Sequence, residues 1–399
     1  MFFAVFYTHT HIMPAFHTLL DFQFEPGGPK NPLRDQAVYS DLCALVSGLV
    51  QSSGASSLPP VSLGDSGSLG IFTAENGSHA TLRIYPQGLL TVDAEMWAAE
   101  GEQPSITAEH VASAQQKISE LLGCKKSKRF PFIKRGARVD PYVPTADNKL
   151  IEYDFDEVVY EADSPYQNIK IMHSPQFGNM LLLDNDPNLA ESDIAYTRAI
   201  LGNGREDFNG KTVLILGGGD GGILHELRQV SPKWVTMLEI DQLVINAAIK
   251  HLPGICHDSM DQLKGHNYEV LVEDCIPVLE KYVQEGTMFD FVINDLTAIP
   301  ISTQPVGDSW DFLRKILDFS MQVLKPTGRY YTQGNGANMV DALKMYEGQL
   351  DKLSCKVDFS KETVCVPSYH ELWVFYRIWK VDAASGCKDK DMQATNGST

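Results

Sequence analysis

Several features that would fix the class of this chain at once are missing. No apolar run approaches the ~20 residues that a membrane span requires. The first twelve residues, MFFAVFYTHTHI, lack a basic leader, and the apolar stretch Phe2–Tyr7 is too short for a secretory signal. The 7 cysteines are odd in number and none forms a C-x-x-C pair, which argues against a zinc ribbon or disulfide framework. A reducing, cytoplasmic setting is the expectation that follows. No H-E-x-x-H is present, so a zinc hydrolase is not indicated. Gly210-Lys211-Thr212 resembles the end of a phosphate loop, but position 205 is Arg205 and a strand follows where a helix is needed. Basic charge is scarce: 33 Lys and Arg stand against 51 Asp and Glu, a formal charge of −18. That balance disfavours general nucleic-acid binding and suits a cationic ligand.

What is present centres on Lys211–Asp241, KTVLILGGGDGGILHELRQVSPKWVTMLEID. Val213–Leu216 is a continuous apolar run, as expected of a parallel strand covered on both faces. Gly217, Gly219 and Gly222 then satisfy G-x-G-x-x-G, a backbone that turns sharply and lets a ligand approach without a Cβ in the way. A second apolar strand ends at Glu239, where a nucleoside site needs a carboxylate for ribose hydroxyls. A dinucleotide is one candidate ligand. Asp220 inside the loop would repel a pyrophosphate and favour a cationic ligand, such as a sulfonium nucleoside bearing an amine.

From Lys211 onward, strands and helices alternate as in a doubly wound α/β sheet. The strands are Val213–Leu216, Val235–Glu239, Glu269–Val272, Phe289–Asp295 and Arg329–Gln333, with helices such as Trp310–Val323 and Met339–Leu353 between. Two β-rich runs, Lys361–Val366 and Leu372–Trp379, predict a terminal antiparallel hairpin of the methyltransferase kind. Ligands of open α/β sheets bind beyond the carboxyl ends of the strands. The residues there form an acidic ring: Asp220, Glu239, Asp274 beside Cys275, and Asp295. Glu239 suits ribose, Asp274 an adenine amino group, Cys275 the wall of that pocket, and Asp295 a substrate amine. Neither Cys275 nor Asp274 has a metal-ligand neighbourhood.

The rest of the chain divides by composition. Residues 1–18 read as a flexible extension, with His9, His11 and His17 too loosely spaced for a metal site. Residues 19–123 read as an α+β scaffold or dimerisation domain: a helix over Ala37–Gln51, a loop over Ser52–Ser68, strands Ala80–Tyr85 and Leu89–Val92, and a helix over His110–Leu122. Residues 124–136, CKKSKRFPFIKRG, hold six basic side chains and read as a solvated linker. Residues 137–190 read as successive β-hairpins: Leu150–Tyr160, Gln167–His173 and Phe177–Leu183. They would form a pocket wall presenting Gln167 and the Asp193–Tyr196 stretch. Residues 191–380 form the α/β domain, and residues 381–399 a disordered tail.

These residues resemble the aminopropyltransferase family, which includes spermidine and spermine synthases. The resemblance spans about residues 137–380 and is carried by YQNIKI (166–171), FGNMLLLD (177–184), ESDIAYTR (191–198), LILGGGDGG, LEID, VEDC and FDFVIND. Within the family the chain is most similar to the animal spermine synthases, including HATLRIYPQGLL near the start and VCVPSYHELWVFY near the end. Spermidine synthases continue from the fourth-strand Asp with a second Asp-Pro; here Asp295 is followed by Leu-Thr-Ala-Ile-Pro.

The resemblance implies a Rossmann-like methyltransferase-type domain, preceded by a small antiparallel β domain and an N-terminal α+β domain. It implies transfer of an aminopropyl group from decarboxylated S-adenosylmethionine to spermidine, giving spermine and methylthioadenosine. The nucleoside is a co-substrate rather than a resident cofactor, and no metal or covalent intermediate is needed because the sulfonium is already a good leaving group. It also implies a homodimer through an N-terminal domain resembling S-adenosylmethionine decarboxylase. Gln167, Glu239, Asp274 and Cys275 would hold the nucleoside, with Gly217 and Gly219 beneath it. Tyr196, Asp220, Tyr369 and Glu371 would hold spermidine. Asp295 would be the general base, with Tyr196 and Asp220 able to relay its proton. Spermidine and thermospermine synthases, and more remotely a methyltransferase using S-adenosylmethionine, are the alternatives.

Overall fold

The computed structural model describes residues 14–50, 56–98, 102 and 104–381. The chain forms two compact units, residues 1–140 and 141–399. Among the described residues, no helix is long and apolar enough to cross a membrane.

The first unit is an antiparallel sheet backed by two helices. Its central strands are Ala15–Gln23, Ser68–Thr73, His79–Ile84 and Leu89–Trp97. Their alternate residues, among them Leu20, Phe22, Leu82, Ile84, Leu90 and Val92, are fully buried on one face. Helix Gln36–Leu49 meets them with Leu42, Val46 and Leu49, and helix Ala108–Leu122 with Val111, Ile118 and Leu122. Both stripes follow the helical period. The second helix starts in a capping box at Thr107 and stops at Gly123, which is left-handed at φ +62°. On the opposite face of the sheet Leu19, Ile71 and Thr91 are half-buried.

Three expectations are corrected here. Residues 15–18 belong to the first strand, whereas residues 1–13 lie outside the described residues. The basic run is not a linker: Lys126–Arg129 and Ile133–Arg135 both pair antiparallel with Ala15–Gln23, setting Lys128 opposite Asp21. A charged edge strand carries no apolar alternation, and its charges discourage further pairing, so it has the composition of a linker. The predicted loop at Ser52–Ser68 contains the short strands Ser56–Ser57 and Val61–Ser62 and a 3-10 turn at Gly64–Ser66, while residues 51–55 lie outside the described set.

The second unit opens with a small hairpin, Tyr142–Pro144 against Leu150–Glu152. A four-stranded antiparallel meander follows: Glu157–Asp163, Asn168–Ser174, Gly178–Leu183 and Asp186–Ala190. The expected single strand Leu150–Tyr160 is two strands, because Tyr153 and Phe155 turn into the protein and stack at 4.8 Å instead of continuing the ladder.

The main sheet has seven strands, named here in chain order: β1 Thr212–Gly217, β2 Trp234–Glu239, β3 Tyr268–Val272, β4 Phe289–Asp295, β5 Leu324–Gly336, β6 Val357–Val366 and β7 Glu371–Lys380. Their spatial order is β3-β2-β1-β4-β5-β7-β6. β1 to β5 run parallel, and β7 and β6 form an antiparallel hairpin against β5. This is the Rossmann-like, methyltransferase-type arrangement. Successive residues of β1 enter different cores: Val213 and Ile215 pack with helices Gly222–Arg228 and Gln242–His251, Leu214 and Leu216 with helices Cys275–Glu285 and Asp308–Val323. Burial on both faces is the physical cause of the unbroken apolar run. The order reverses between β1 and β4, so the crevice opens at their carboxyl ends.

Candidate active site

Strand β1 ends at Gly217 because the chain must turn there against the end of β4. Gly217 pairs with Asp295, has φ +80°, and a Cβ on it would lie 2.3 Å from the Asp295 carbonyl oxygen. Gly219 is needed for a different reason. A Cβ there would lie 2.8 Å from Glu239 Oε2, the oxygen to which its N–H donates at 3.1 Å. The other oxygen of Glu239 accepts from the Asp241 N–H at 2.9 Å. Glu239 thus ties the glycine loop to the start of the next helix, and each oxygen retains a second acceptor position. Burial raises its carboxyl, and the Asp241 N–H opposes this.

Three of the four strand-end acids converge. Asp220 accepts from the Gly222 N–H at 2.8 Å, and burial raises its carboxyl. Asp295, at the end of β4, accepts from the Tyr196 hydroxyl at 2.5 Å. Burial, then the nearby Asp220 and, more weakly, Glu239, push Asp295 up to about 8, against the Tyr196 hydrogen bond. These acids have no cationic neighbour among the charged groups that perturb them. Like charges brought together in a desolvated crevice favour protonation, and an incoming cation would reverse that.

An aromatic wall stands over this cluster. Tyr196, on helix Ile194–Ile200, is buried, and burial followed by Asp295 raises its phenol far above the ordinary range. Its ring meets Phe375 edge-on at 5.2 Å and Tyr369 at 6.2 Å. Tyr369 meets Trp373 at 4.9 Å and its hydroxyl donates to the Asn188 carbonyl. Trp373 donates to Gln333 at 3.2 Å, and Gln333 in turn donates to the carbonyl of Leu296, beside Asp295, at 3.2 Å.

Among the described residues, the remaining predicted ones make no hydrogen bond to these acids. Gln167 donates to Asp241 Oδ2 at 3.2 Å, an oxygen that also accepts from the Ser164 hydroxyl at 2.6 Å. Asp274 is exposed and caps helix Cys275–Glu285 by accepting from the Ile276 N–H at 2.9 Å, which leaves its second oxygen unused by the cap. Cys275 is buried, and its thiol is pushed up to about 12 by burial, then Asp274 and Glu239, so it is a neutral wall. Glu371 makes no bond to the cluster. It lies against Gly336, where a Cβ would come within 2.6 Å of its Oε2. With the Asn338 amide oriented to satisfy both neighbours, its nitrogen donates to Glu371 Oε2 at 3.3 Å and its oxygen accepts from Lys149 Nζ at 3.2 Å.

Three family models match the chain along its length. Residues 61–136 match an S-adenosylmethionine decarboxylase N-terminal model, 142–191 a spermidine synthase tetramerisation domain and 193–389 a spermine/spermidine synthase domain. A polyamine aminopropyltransferase of Hydrogenobaculum is 30% identical over 244 residues, 60% of this chain and 80% of that protein. The chain belongs to the spermine/spermidine synthase family. Polyamine aminopropyltransferase 1 of Aquifex aeolicus is likewise 30% identical, across 62% of this chain and 82% of its own length. A crystal structure of spermidine synthase in complex with the transition state analogue AdoDATO shares the fold, with a TM-score of 0.50, 22% identity, and coverage of 60% of this chain and 79% of that one.

In this member of the spermine/spermidine synthase family, several groups around the site escaped sequence reasoning. Asp241 stands in the quoted LEID motif, yet only the structure shows that it accepts from Gln167, 74 positions away. Gln333, Trp373 and Asn338 lie on or beside strands whose partners the sequence does not name. Asp193 belongs to a stretch expected to be presented to the pocket, but it is 1% exposed and turned inward.

Proposed function

We propose that the protein transfers the aminopropyl group of decarboxylated S-adenosylmethionine to spermidine, giving spermine and methylthioadenosine. The observation that carries this reading is the Tyr196–Asp295 pair beside Asp220, a proton-accepting group set among carboxylates inside the crevice. The nucleoside lies on the glycine loop, with its ribose on Glu239, its adenine toward Asp274 and Cys275, and Gln167 alongside. The acceptor lies between Tyr196 and Tyr369, its distal ammonium toward Glu371, and Asp220 neutralises a nearer charge.

The chemistry follows from the acceptor. A protonated amine has no lone pair, so one proton must leave before the nitrogen can attack the carbon next to sulfur. Asp295 takes it, and Tyr196 and Asp220 hold or relay it. The nitrogen–carbon bond forms as the carbon–sulfur bond breaks, and the sulfur keeps the electron pair, so no charge is left on the leaving nucleoside. Alignment of nitrogen, carbon and sulfur supplies a further part of the rate. Leu296–Pro300 in place of a second Asp-Pro, Glu371 at the outer end, and the match of residues 61–136 support spermidine over putrescine as acceptor.

The test is product analysis with decarboxylated S-adenosylmethionine and either putrescine or spermidine. Spermine from spermidine, with little product from putrescine, is expected. Spermidine from putrescine would move the substrate, and thermospermine would move the attacking nitrogen. Methyl transfer from intact S-adenosylmethionine, with no aminopropyl transfer, would replace the reading. For assembly, the half-open sheet face of the first unit supports a homodimer through that unit. A chain beginning at Pro141 is then expected to sediment as a monomer. An oligomer from it would move the interface to residues 142–191, the segment matched by the tetramerisation model.

A further inference from the structure

Asp193 occupies the N-cap of helix Ile194–Ile200, where a carboxylate ordinarily accepts from the first N–H groups of its own helix. It makes no such bond. Its carboxylate turns into the protein instead. Oδ2 accepts from the Ala190 N–H at 2.8 Å and the Ser368 hydroxyl at 2.5 Å; Oδ1 accepts from the Ser368 N–H at 3.0 Å and the Ser192 hydroxyl at 3.3 Å. None of the four donors is cationic. A buried carboxylate is tolerated only when its lone pairs are filled, and here local capping is given up for partners 175 positions away.

Those partners are the tip of the β6–β7 hairpin. Ser368 is fully buried, and its carbonyl also accepts from the Tyr153 hydroxyl at 2.7 Å. The next residue is Tyr369, followed by His370 in the left-handed region at φ +56°. On its other side, the backbone carbonyl of Asp193 accepts from the Tyr196 N–H at 2.8 Å. One residue therefore holds both Tyr196 and Tyr369, whose rings meet edge-on at 6.2 Å next to Asp295. The nucleoside side of the crevice hangs on other groups: the hydrogen bonds of Gly219, Glu239, Asp241 and Gln167 do not involve Asp193.

We infer that Asp193 is a positioning residue for the acceptor: by clamping Ser368 it sets the separation of Tyr196 and Tyr369 and so the alignment of the attacking amine at Asp295. The inference rests on the aminopropyl-transfer reading above. The clamp belongs to the acceptor half of the site alone, so its loss separates the two substrates. A role in folding alone would not.

The experiment uses the full chain and two variants, Asp193→Asn and Ser368→Ala. Asparagine turns an amide N–H₂ toward donors and breaks at least one bond; alanine removes one hydroxyl and leaves the carboxylate. Steady-state kinetics for spermidine are measured beside calorimetric binding of methylthioadenosine. A misplacement of about 1 Å costs about 100-fold in rate, so kcat/KM for the acceptor is expected to fall by roughly 30-fold or more in Asp193→Asn and by about three- to tenfold in Ser368→Ala. Methylthioadenosine affinity should stay within about twofold in both, and the double variant should be no worse than Asp193→Asn alone. Unchanged acceptor kinetics, or an equal loss of nucleoside binding, overturns the inference. If Asp193→Asn does not fold, Ser368→Ala decides by the same criteria. A native chain that transfers no aminopropyl group overturns the functional reading and this inference together; an active native chain with unaffected variants overturns the inference alone.

Discussion

Replacing Asp295 with Asn removes the proposed proton acceptor while leaving its volume nearly unchanged. An alkylammonium titrates near 10.4, so at neutral pH only about one amine in a thousand or fewer is free base. A carboxyl at about 8 accepts that proton against a gap of about two to three powers of ten. An ordinary aspartate near 3.9 would face about six to seven. In the free enzyme, burial, then Asp220 and, more weakly, Glu239 bring the carboxyl most of the way toward the amine. In the Asn variant the amine must arrive already neutral, and turnover near neutral pH is expected to fall by ~10²–10⁴. The pH profile distinguishes this from general damage. The native kcat/KM should rise to a bend near pH 8 and level off, because below that pH Asp295 already carries a proton in the free enzyme. The variant should keep climbing by about tenfold per pH unit toward the amine's own pKa. The assay is methylthioadenosine release across the neutral and alkaline range, with methylthioadenosine affinity by calorimetry as the control. A variant profile with the native bend, or turnover within about threefold of native, would refute the reasoning.

The same substitution should affect stability in a pH-dependent way. Asp295 is raised in the folded chain to about 8, so between about pH 4 and 8 the folded state keeps a proton the unfolded state has lost; native stability falls as pH rises through that window and levels above it. The melting-temperature gain of Asp295→Asn over native should grow across the window, and a gain independent of pH would show that the carboxyl is not perturbed. Gly217→Ala places a side chain at φ +80° and 2.3 Å from a carbonyl oxygen. It should lose about 2 kcal/mol or more of stability together with nucleoside affinity, measured by denaturant titration and calorimetry; near-native values would mean the loop can open at little cost. Lys149→Gln removes the ammonium that reaches Glu371 through Asn338. The KM for spermidine should fall by about two- to fivefold, the scale of an exposed ion pair, and a rise would place Lys149 in acceptor binding instead.

The parts of this protein legible in the sequence are those where local pattern and tertiary role coincide. The run Val213–Leu216 reads as a doubly covered strand because each residue enters one core or the other. Asp220, Glu239 and Asp295 could be grouped in advance because strand ends of an open sheet share one edge. Asp274 follows the same rule, yet its helix cap keeps it outside the cluster. The basic strand Lys126–Arg129 was illegible because its pairing partner lies more than 100 positions earlier and its own residues are all exposed. Asp193 was misread for the opposite reason. The sequence reads its stretch as presented to the pocket, and only the hairpin that returns from residues 357–380 shows where its oxygens point.

The placement of β7 has a consequence for how the chain is made. β7 is the last strand among the described residues but an interior strand of the sheet, inserted between β5 and β6. Until residues up to 380 are available, β5 presents a bare edge of unpaired amides, open to pairing with any extended chain nearby. The contacts that cover it span long sequence separations and form slowly. Nascent or truncated chains ending within the β6–β7 hairpin are therefore expected to aggregate more readily than the full chain. Tyr369 sits in that same hairpin, so the step that closes the sheet edge also brings Tyr369 to Tyr196 and the acid cluster.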